Sequence, residues 1–338
     1  MTTTLKSLQF GFVLLIIGQA SIFSQTSKFT FQRPKMGSPF VITVFADDSL
    51  ILAPIIEKAY LRVDTLNQIF SDYLDNSEIN TVCHNIKTWQ PISADLYHVL
   101  KISKKANSIS GGAFDVTVGH IVKVWRKARK TKQMPDKAIL QAALEKTGFK
   151  NIEIDVHTPQ MRFNTEGVLL DFGGIVKGFV AQEVVDILTK NGFPYCLVDA
   201  GGDLVAGKRP PMSSGWKIGI SLPNSDRELM PHLLSIENQA IATSGDMYQF
   251  FEHAGKRYSH IVNPKTGLGL THQRNVTVIA PDGATADWLA TACSILPIRK
   301  AKRLIKKYPN TALLILENKN GKIKSVQSSQ FAKYFFLN

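Results

Sequence analysis

The sequence predicts an α+β fold in which mixed or antiparallel sheets pack against helices. Segments with helical periodicity and short extended segments follow one another without the strict alternation typical of a parallel, doubly wound sheet. The chain has 338 residues, 44% of them apolar, enough to bury a sizeable core without a metal or disulfide. No repeat or linker divides it, so we expect one domain over residues 25–338.

The first part of the chain predicts a pair of strands followed by helices. Residues 29–45 are extended in pattern, with an interruption at 36–39. Asp48 and its neighbours can cap a helix whose apolar residues keep the 3.6 period from Leu52 to Phe70. A second helix is predicted from Ser93 to the glycine pair 111–112, because glycine adopts the left-handed conformation that ends helices.

The remaining elements are predicted from short apolar runs and from helical spacing. Helices are expected at 137–147, 176–190, 284–296 and 298–308. Strands are expected at 152–154, 161–163, 168–172, 195–200, 216–221, 239–243, 258–262 and 276–280.

The net charge of +13, from 40 basic and 27 acidic residues, raises the question of a nucleic-acid partner. Most of the excess lies in two runs, 123–132 and 299–307, and the second has the apolar spacing of an amphipathic helix. No nucleic-acid-binding motif accompanies either run. We therefore predict two solvated faces and no nucleic-acid binding, and leave open an anionic partner or a membrane surface.

The N-terminus has the pattern of a secretory signal peptide over residues 1–24. Lys6 precedes an apolar run at 8–17, and small and polar residues follow. The run is shorter than the roughly 20 residues of a membrane span. We expect cleavage between Ala20 and Gln25 and export; the alternative is an uncleaved segment that anchors the protein to the membrane.

Residues 169–178 have the pattern of a strand, a glycine turn and a helix start, with Lys177 in the first helical turn. The N-terminus of a helix presents unpaired amides and a positive dipole end, which suit a phosphate. An ordinary strand-to-helix connection fits the same letters, and Asp171 would then be a plain cap.

Two further patterns have both a chemical and a structural interpretation. Asp287 and Thr291 lie one helical turn apart, so their oxygens could form part of an Mg²⁺ site; alternatively, the threonine bonds back to the carbonyl of Asp287. His260 lies on the predicted apolar strand 258–262, just before a turn, where a histidine is either a core residue or a functional group. Asp115, Asp203 and Asp246 follow glycine turns and Asp199 lies just before one, and capping of the loop is the default role for such carboxylates.

Eight short blocks follow one another along the chain: Met36-Gly37-Ser38, Phe70-Ser71-Asp72-Tyr73 with Ser77-Glu78-Ile79-Asn80, Ala113-Phe114-Asp115-Val116-Thr117-Val118-Gly119, Asp171-Phe172-Gly173-Gly174-Ile175-Val176-Lys177-Gly178, Asp199-Ala200-Gly201-Gly202-Asp203, Ala242-Thr243-Ser244-Gly245-Asp246, Tyr258-Ser259-His260-Ile261 and Ala286-Asp287 through Thr291. In this order the blocks resemble the successive motifs of the ApbE family, and the resemblance extends over residues 31–296.

The resemblance implies an ApbE-like, T-fold-like catalytic domain that binds FAD and Mg²⁺ and transfers FMN from FAD to a threonine of an acceptor flavoprotein, releasing AMP. Some members instead hydrolyse FAD to FMN and AMP, and a non-catalytic FAD carrier is a further alternative. The expected acceptors are periplasmic flavoproteins, such as subunits of membrane electron-transfer complexes, and the expected location is the periplasm or the periplasmic side of the inner membrane.

By matching positions, the resemblance also implies a set of site residues. His260 would be the general base, and the carbonyl of Gly174 would hold the metal together with Asp287 and Thr291. The FAD site would be lined by Met36, Tyr73, Ala113, Phe114, Asp115, Asp171, Lys177 and Ile261, with Tyr73 and Phe114 offering flat apolar surface to a ring. The sequence departs from the family pattern at Val116, Val176 and Asp199, and the extra carboxylate of Asp199 could alter the number of metals.

Overall fold

The computed structural model describes residues 26–83, 88–223, 228–245 and 249–336. The predicted signal peptide and Asp246 lie outside these residues. The helices are α1 (Ser49–Phe70), α2 (Glu78–Val82), α3 (Ala94–Ser110), α4 (Gly119–Thr131), α5 (Lys137–Glu145), α6 (Val176–Lys190), α7 (Gly283–Ile295) and α8 (Ile298–Ile305). In this part of the chain, no helix combines the length and apolarity needed to cross a bilayer.

The strands are β1 (Ser27–Lys35), β2 (Ser38–Ala46), β3 (Gln90–Pro91), β4 (Ile152–Ile154), β5 (Gln160–Phe163), β6 (Cys196–Ala200), β7 (Leu204–Ala206), β8 (Trp216–Ile218), β9 (Leu234–Ile236), β10 (Gln239–Ser244), β11 (Phe250–His253), β12 (Lys256–Ser259), β13 (Gln273–Ala280), β14 (Ala312–Lys319) and β15 (Lys322–Gln327). Eight of them form one sheet in the order β1-β2-β6-β7-β10-β13-β14-β15, and every pairing in it is antiparallel. The α+β prediction with antiparallel sheets is confirmed.

The main sheet buries both faces, because successive side chains of a strand point to opposite sides. On β13, Val276 and Val278 join the core formed with α6 and α7, whereas Ile279 joins a second core. The β8–β9 hairpin covers that second face through Trp216 and Leu234. The two covered faces explain why residues 276–280 of β13 and 312–316 of β14 are almost all apolar.

A third apolar cluster lies outside the main sheet and unites α4, α5 and β11. It contains Trp125, Leu140 and Phe251, and the indole nitrogen of Trp125 donates to the carbonyl of Gly267 at 2.6 Å. This cluster fixes which side of α4 faces inward. It therefore places α4 as one wall of the cleft described below.

Local signals set the helix ends where the sequence predicts them. The carboxylate of Asp48 accepts from the amide of Leu50 at 2.7 Å and caps α1. The hydroxyl of Ser93 caps α3 by accepting from Leu96 at 3.1 Å, and Gly111 ends that helix at φ +64°. Pro54 is the sixth residue of α1, so it lacks the amide hydrogen that would otherwise bond to the carbonyl of Leu50.

Two strand predictions are corrected by the structure. Residues 168–172 form no strand; the segment lies against the loop before α4, where the amide of Asp171 donates to the carbonyl of Val116 at 2.7 Å. The predicted strand at 258–262 occurs as β12, which ends at Ser259, so His260 lies in the following loop. Strand pairing depends on partners distant in sequence, which apolar runs alone do not reveal.

Candidate functional site

A cleft of about 660 Å³ lies between the helix-covered face of the main sheet and the wall formed by α4. It brings together every residue that the family resemblance implied. They come from six separate segments of the chain: Met36, Tyr73, Ala113, Phe114, Asp115, Asp171, Gly174, Lys177, His260, Ile261, Asp287 and Thr291. The elements that carry these residues are distant in sequence, so the fold creates the site.

The contact between α6 and α7 places the two ends of the predicted metal site. Gly178 and Gly283 meet so closely that a methyl group on either would overlap the other's carbonyl oxygen. The carboxylate of Asp287 accepts from the amide of Gly178 at 3.2 Å. One turn further along α7, Thr291 reaches Gly174, where a methyl group would lie 2.8 Å from its hydroxyl oxygen.

The Thr291 hydroxyl makes no hydrogen bond within the described part of the chain. It therefore does not bond back to the carbonyl of Asp287, which was the structural alternative for this pair. A hydroxyl that lines the cleft without an internal partner is available to a ligand.

The charges around Asp287 fit a divalent cation. Burial, with the nearby carboxylate of Asp203, raises the pKa of Asp287 well above its ordinary value. Burial also raises the pKa of Asp203, and the Lys177 ammonium opposes this shift. Two close, buried carboxyl groups disfavour each other's ionisation, and a divalent cation bound between them would favour their charged forms. Among the described residues no group of three or more His, Cys, Asp or Glu side chains forms a metal cluster. The predicted magnesium ligands are of another kind: one carboxylate from Asp287, one hydroxyl from Thr291 and the carbonyl of Gly174. All three are oxygen ligands, which Mg²⁺ accepts.

Ser38 and Lys177 together form a second feature that fits an anion. Both border Gly201, where a methyl group would overlap the Ser38 hydroxyl and lie 3.2 Å from the Lys177 nitrogen. The Ser38 hydroxyl is buried and has no hydrogen-bond partner in the described structure. A buried hydroxyl beside an ammonium and at the N-terminal end of α6 fits a phosphate oxygen.

The surroundings of His260 favour a neutral imidazole and determine which of its ring nitrogens can accept a proton. Its Nδ1 lies 3.2 Å from the carbonyl oxygen of Gln249. Because a carbonyl only accepts, Nδ1 carries the hydrogen and Nε2 carries the lone pair. Burial, followed by the Arg129 guanidinium, lowers the pKa of His260 to about 4. The imidazole is therefore ready to accept a proton near neutral pH.

The two aromatic residues of the predicted FAD site differ in exposure. Tyr73 is 73% exposed, and the Arg126 guanidinium lies over one face of its ring, 4.2 Å from the ring centroid. Phe114 is 3% exposed and packs against Trp288, with ring centroids 6.0 Å apart. Tyr73 leaves a ring face for a flat ligand, whereas the expected flat surface of Phe114 is covered.

The carboxylates of Asp115 and Asp171 organise the loops around them. Asp115 accepts from the amide and the hydroxyl of Thr117 at 2.9 and 2.6 Å and from Asn107 at 3.0 Å. Asp171 accepts from the amide of Gly173 at 2.8 Å. Burial raises the pKa of both groups. Each carboxylate thus shapes the cleft wall through internal hydrogen bonds, in addition to any contact with a ligand.

Four residues of the cleft region received no ligand-binding role from the sequence: Ser38, Arg126, Arg129 and Asp203. Asp203 lines the cleft, whereas Asp199 caps its own loop by accepting from the amide of Gly202 at 2.7 Å. Arg126 and Arg129 line the cleft although they belong to a run predicted to be a solvated face. Ser38, described above, borders Gly201 beside the cleft. For Ser38 and Asp203 the available signal was their place inside the family motifs; for the arginines, recognition of α4 as a helix with Trp125 inward would have been needed.

Comparison with known proteins adds independent findings. The model of the ApbE family matches residues 36–315. The chain is 28% identical over 333 residues to an FAD:protein FMN transferase of Haemophilus influenzae, with 95% of each chain covered, and 31% identical over 245 residues to one of Treponema pallidum, with 68% of this chain and 67% of the relative covered.

Solved structures agree with these sequence relatives. The flavin transferase ApbE from Vibrio cholerae superposes with a TM-score of 0.82 at 24% identity, covering 92% of this chain and 100% of the other. The ApbE protein from Thermotoga maritima superposes with a TM-score of 0.80 at 26% identity, covering 91% and 99%. The antiparallel sheet with its packed helices is the fold of these proteins.

Proposed function

The chain belongs to the ApbE family and is an FAD:protein FMN transferase, and we propose that it transfers FMN to a threonine hydroxyl of its acceptor in an Mg²⁺-dependent reaction that releases AMP. The observation that carries the proposal is the single cleft in which Lys177, Asp287, Thr291 and His260 meet. Its two halves offer the two things that the reaction requires: a place for the diphosphate and a base beside it.

The diphosphate of FAD is best matched by the Lys177 end of the cleft. Lys177 and the unpartnered hydroxyl of Ser38 would bind phosphate oxygens. Gly174, Asp287 and Thr291 would hold Mg²⁺, which when bound neutralises charge on the diphosphate and on its leaving group. Tyr73 would contact one of the flat rings of FAD.

His260 would act on the acceptor threonine. The threonine hydroxyl gives its proton to Nε2 as its oxygen forms a bond to the phosphorus of the FMN half. The bond between that phosphorus and the bridging oxygen breaks, and AMP leaves with the bridging oxygen. Arg129 and Lys177 both favour the neutral imidazole, which is the form that can accept the proton.

The signal-peptide pattern at residues 1–24 supports export of the protein. We place its action in the periplasm, either free or held at the inner membrane by an uncleaved N-terminus, on flavoproteins such as subunits of membrane electron-transfer complexes. Fractionation of cells that express the tagged chain would test this location; recovery in the cytoplasm with an intact N-terminus would contradict it.

The activity is tested by incubating the protein with FAD, Mg²⁺ and a threonine-bearing acceptor flavoprotein. We expect AMP release together with in-gel flavin fluorescence of the acceptor, and loss of both when EDTA replaces Mg²⁺. AMP release at the same rate without acceptor, with no covalent flavin, would indicate an FAD pyrophosphatase that uses water. Stoichiometric FAD binding without AMP under any metal would indicate a carrier.

The His260→Ala variant separates base chemistry from binding. We expect it to slow flavin transfer by roughly 100-fold or more, the usual range for a general base, while its affinity for FAD stays within about threefold of the unmodified protein. Equal losses of transfer rate and FAD affinity would make His260 a binding residue.

A further inference from the structure

Helix α4 has a basic face that begins inside the cleft and continues onto the outer surface. Arg126 and Arg129 line the cleft, and Lys123, Lys127 and Lys130 are exposed. Side chains three or four positions apart on a helix are neighbours, so these five form one continuous surface, here called the basic ridge. No acidic residue occurs in α4 to neutralise it.

The inner end of the basic ridge has unmet hydrogen-bonding capacity beside His260. Arg129 lies close enough to His260 for its charge to help keep the imidazole neutral, and it forms no ion pair with a described residue. Arg126 pairs with Asp72 at 2.8 Å, yet its Nε is buried without a partner among the residues described. Buried donors of this kind call for an anionic or acceptor group.

The second basic run of the sequence provides a comparison within the same molecule. Arg299, Lys300, Lys302 and Arg303 are exposed on α8, which packs against α7 and β14. All of α8 is described, and none of its residues lines the cleft. Of these two runs, only the one on α4 adjoins the site.

We propose that the basic ridge is the docking surface for the acceptor protein, and that the acceptor presents carboxylates close to its target threonine. The proposal rests on the proposed function, because an acceptor must bring its threonine to Nε2 of His260. A threonine at that atom lies beside Arg129, and the chain that flanks it would run along the exposed lysines of α4. A protruding protein segment can reach the inner arginines of the cleft, whereas a flat membrane surface can reach only the outer lysines.

The test measures binding of three fluorescent peptides of equal length, each with one central threonine flanked by glutamates, glutamines or lysines. Fluorescence anisotropy is recorded with FAD present for the unmodified protein, for K127E/K130E and for the matched control R299E/K302E. Both variants reverse two exposed basic residues three positions apart on a helix, so they change the net charge equally. FAD affinity and thermal unfolding are recorded for each protein.

We expect the glutamate peptide to bind the unmodified protein about tenfold more tightly than the glutamine peptide, with the preference falling as salt rises. K127E/K130E should lose the preference, and R299E/K302E should keep it. Absence of a preference, or equal losses in both variants, would overturn the proposal, as would binding to phosphatidylglycerol vesicles that depends on Lys127 and Lys130 without any peptide preference. Peptide binding does not require flavin transfer. A failure of flavin transfer would therefore contradict the proposed function, whereas the binding preference would still test the docking surface.

Discussion

The neutral imidazole of His260 predicts an unusual acid limb for the reaction. A free histidine has a pKa near 6.5, whereas burial and the Arg129 charge lower the pKa of His260 to about 4. At about pH 5.5, a group with a pKa of about 4 is roughly 97% neutral, but one with a pKa of 6.5 is roughly 10% neutral. The flavin-transfer rate limited by His260 should therefore be about tenfold higher at that pH than an ordinary histidine would allow. Because a base must be unprotonated to act, the transfer rate should stay high as the pH falls and should decrease only when the imidazole of His260 becomes protonated.

The assay combines rate and spectroscopy. The rate of covalent flavin formation at saturating FAD and acceptor is measured from pH 8 to 4, and the imidazole signals are followed by NMR with isotope-labelled histidine. The Arg129→Gln variant should raise the pKa of His260, because it removes the nearby positive charge. His272 serves as the control, because burial and Arg274 lower its pKa to about 4 through different contacts; its titration should not change in the variant.

An NMR midpoint for His260 near 6.5 would refute this reasoning, because it would show that the imidazole is neither desolvated nor under the influence of Arg129. The transfer rate could instead fall with a midpoint near pH 6.5 while the NMR signal of His260 titrates near 4. That result would support the lowered pKa of His260 but would show that another group is the base.

Three further predictions test the remaining parts of the site. Ser38→Ala should weaken FAD binding by roughly 10- to 100-fold, the effect of losing a hydrogen bond to a charged group, without lowering thermal stability; unchanged FAD affinity by fluorescence quenching would contradict the role of the hydroxyl. Gly178→Ala should lower the free energy of unfolding by about 1–3 kcal/mol or more, because its methyl group overlaps the carbonyl oxygen of Gly283; an unchanged denaturant midpoint would contradict that contact. Asp287→Asn should abolish the rise in melting temperature caused by Mg²⁺, while the matched Asp199→Asn keeps it; equal behaviour of the two variants would remove Asp287 from the metal site.

The helix positions and the family motifs could be predicted from the amino-acid sequence because they depend on residues that are close together in the chain. The caps Asp48 and Ser93 and the terminal Gly111 act within one or two turns of the backbone they stabilise. The same holds for the apolar period of α1. Membership of the ApbE family also followed from the order of short motifs, and the comparisons confirm it.

The sequence did not show which segments these helices and strands pack against, because such packing depends on contacts between distant parts of the chain. The segment at 168–172 has strand-like letters but lies against an irregular loop, because its neighbours come from residues 116–119. Arg126 and Arg129 belong to the cleft because Trp125 is buried on the adjacent side of α4. Neither outcome can be obtained from periodicity, since periodicity says which residues share a face and not what that face meets.

The site itself is the clearest case. The letters supplied Asp287, Thr291 and Lys177 as candidates, each with an ordinary structural explanation. Their convergence follows from the close contact of Gly178 with Gly283, two residues more than a hundred positions apart. Packing at that distance is a property of the folded core, where the absence of two side chains lets α6 and α7 approach and bring carboxylate, hydroxyl and ammonium into one cleft.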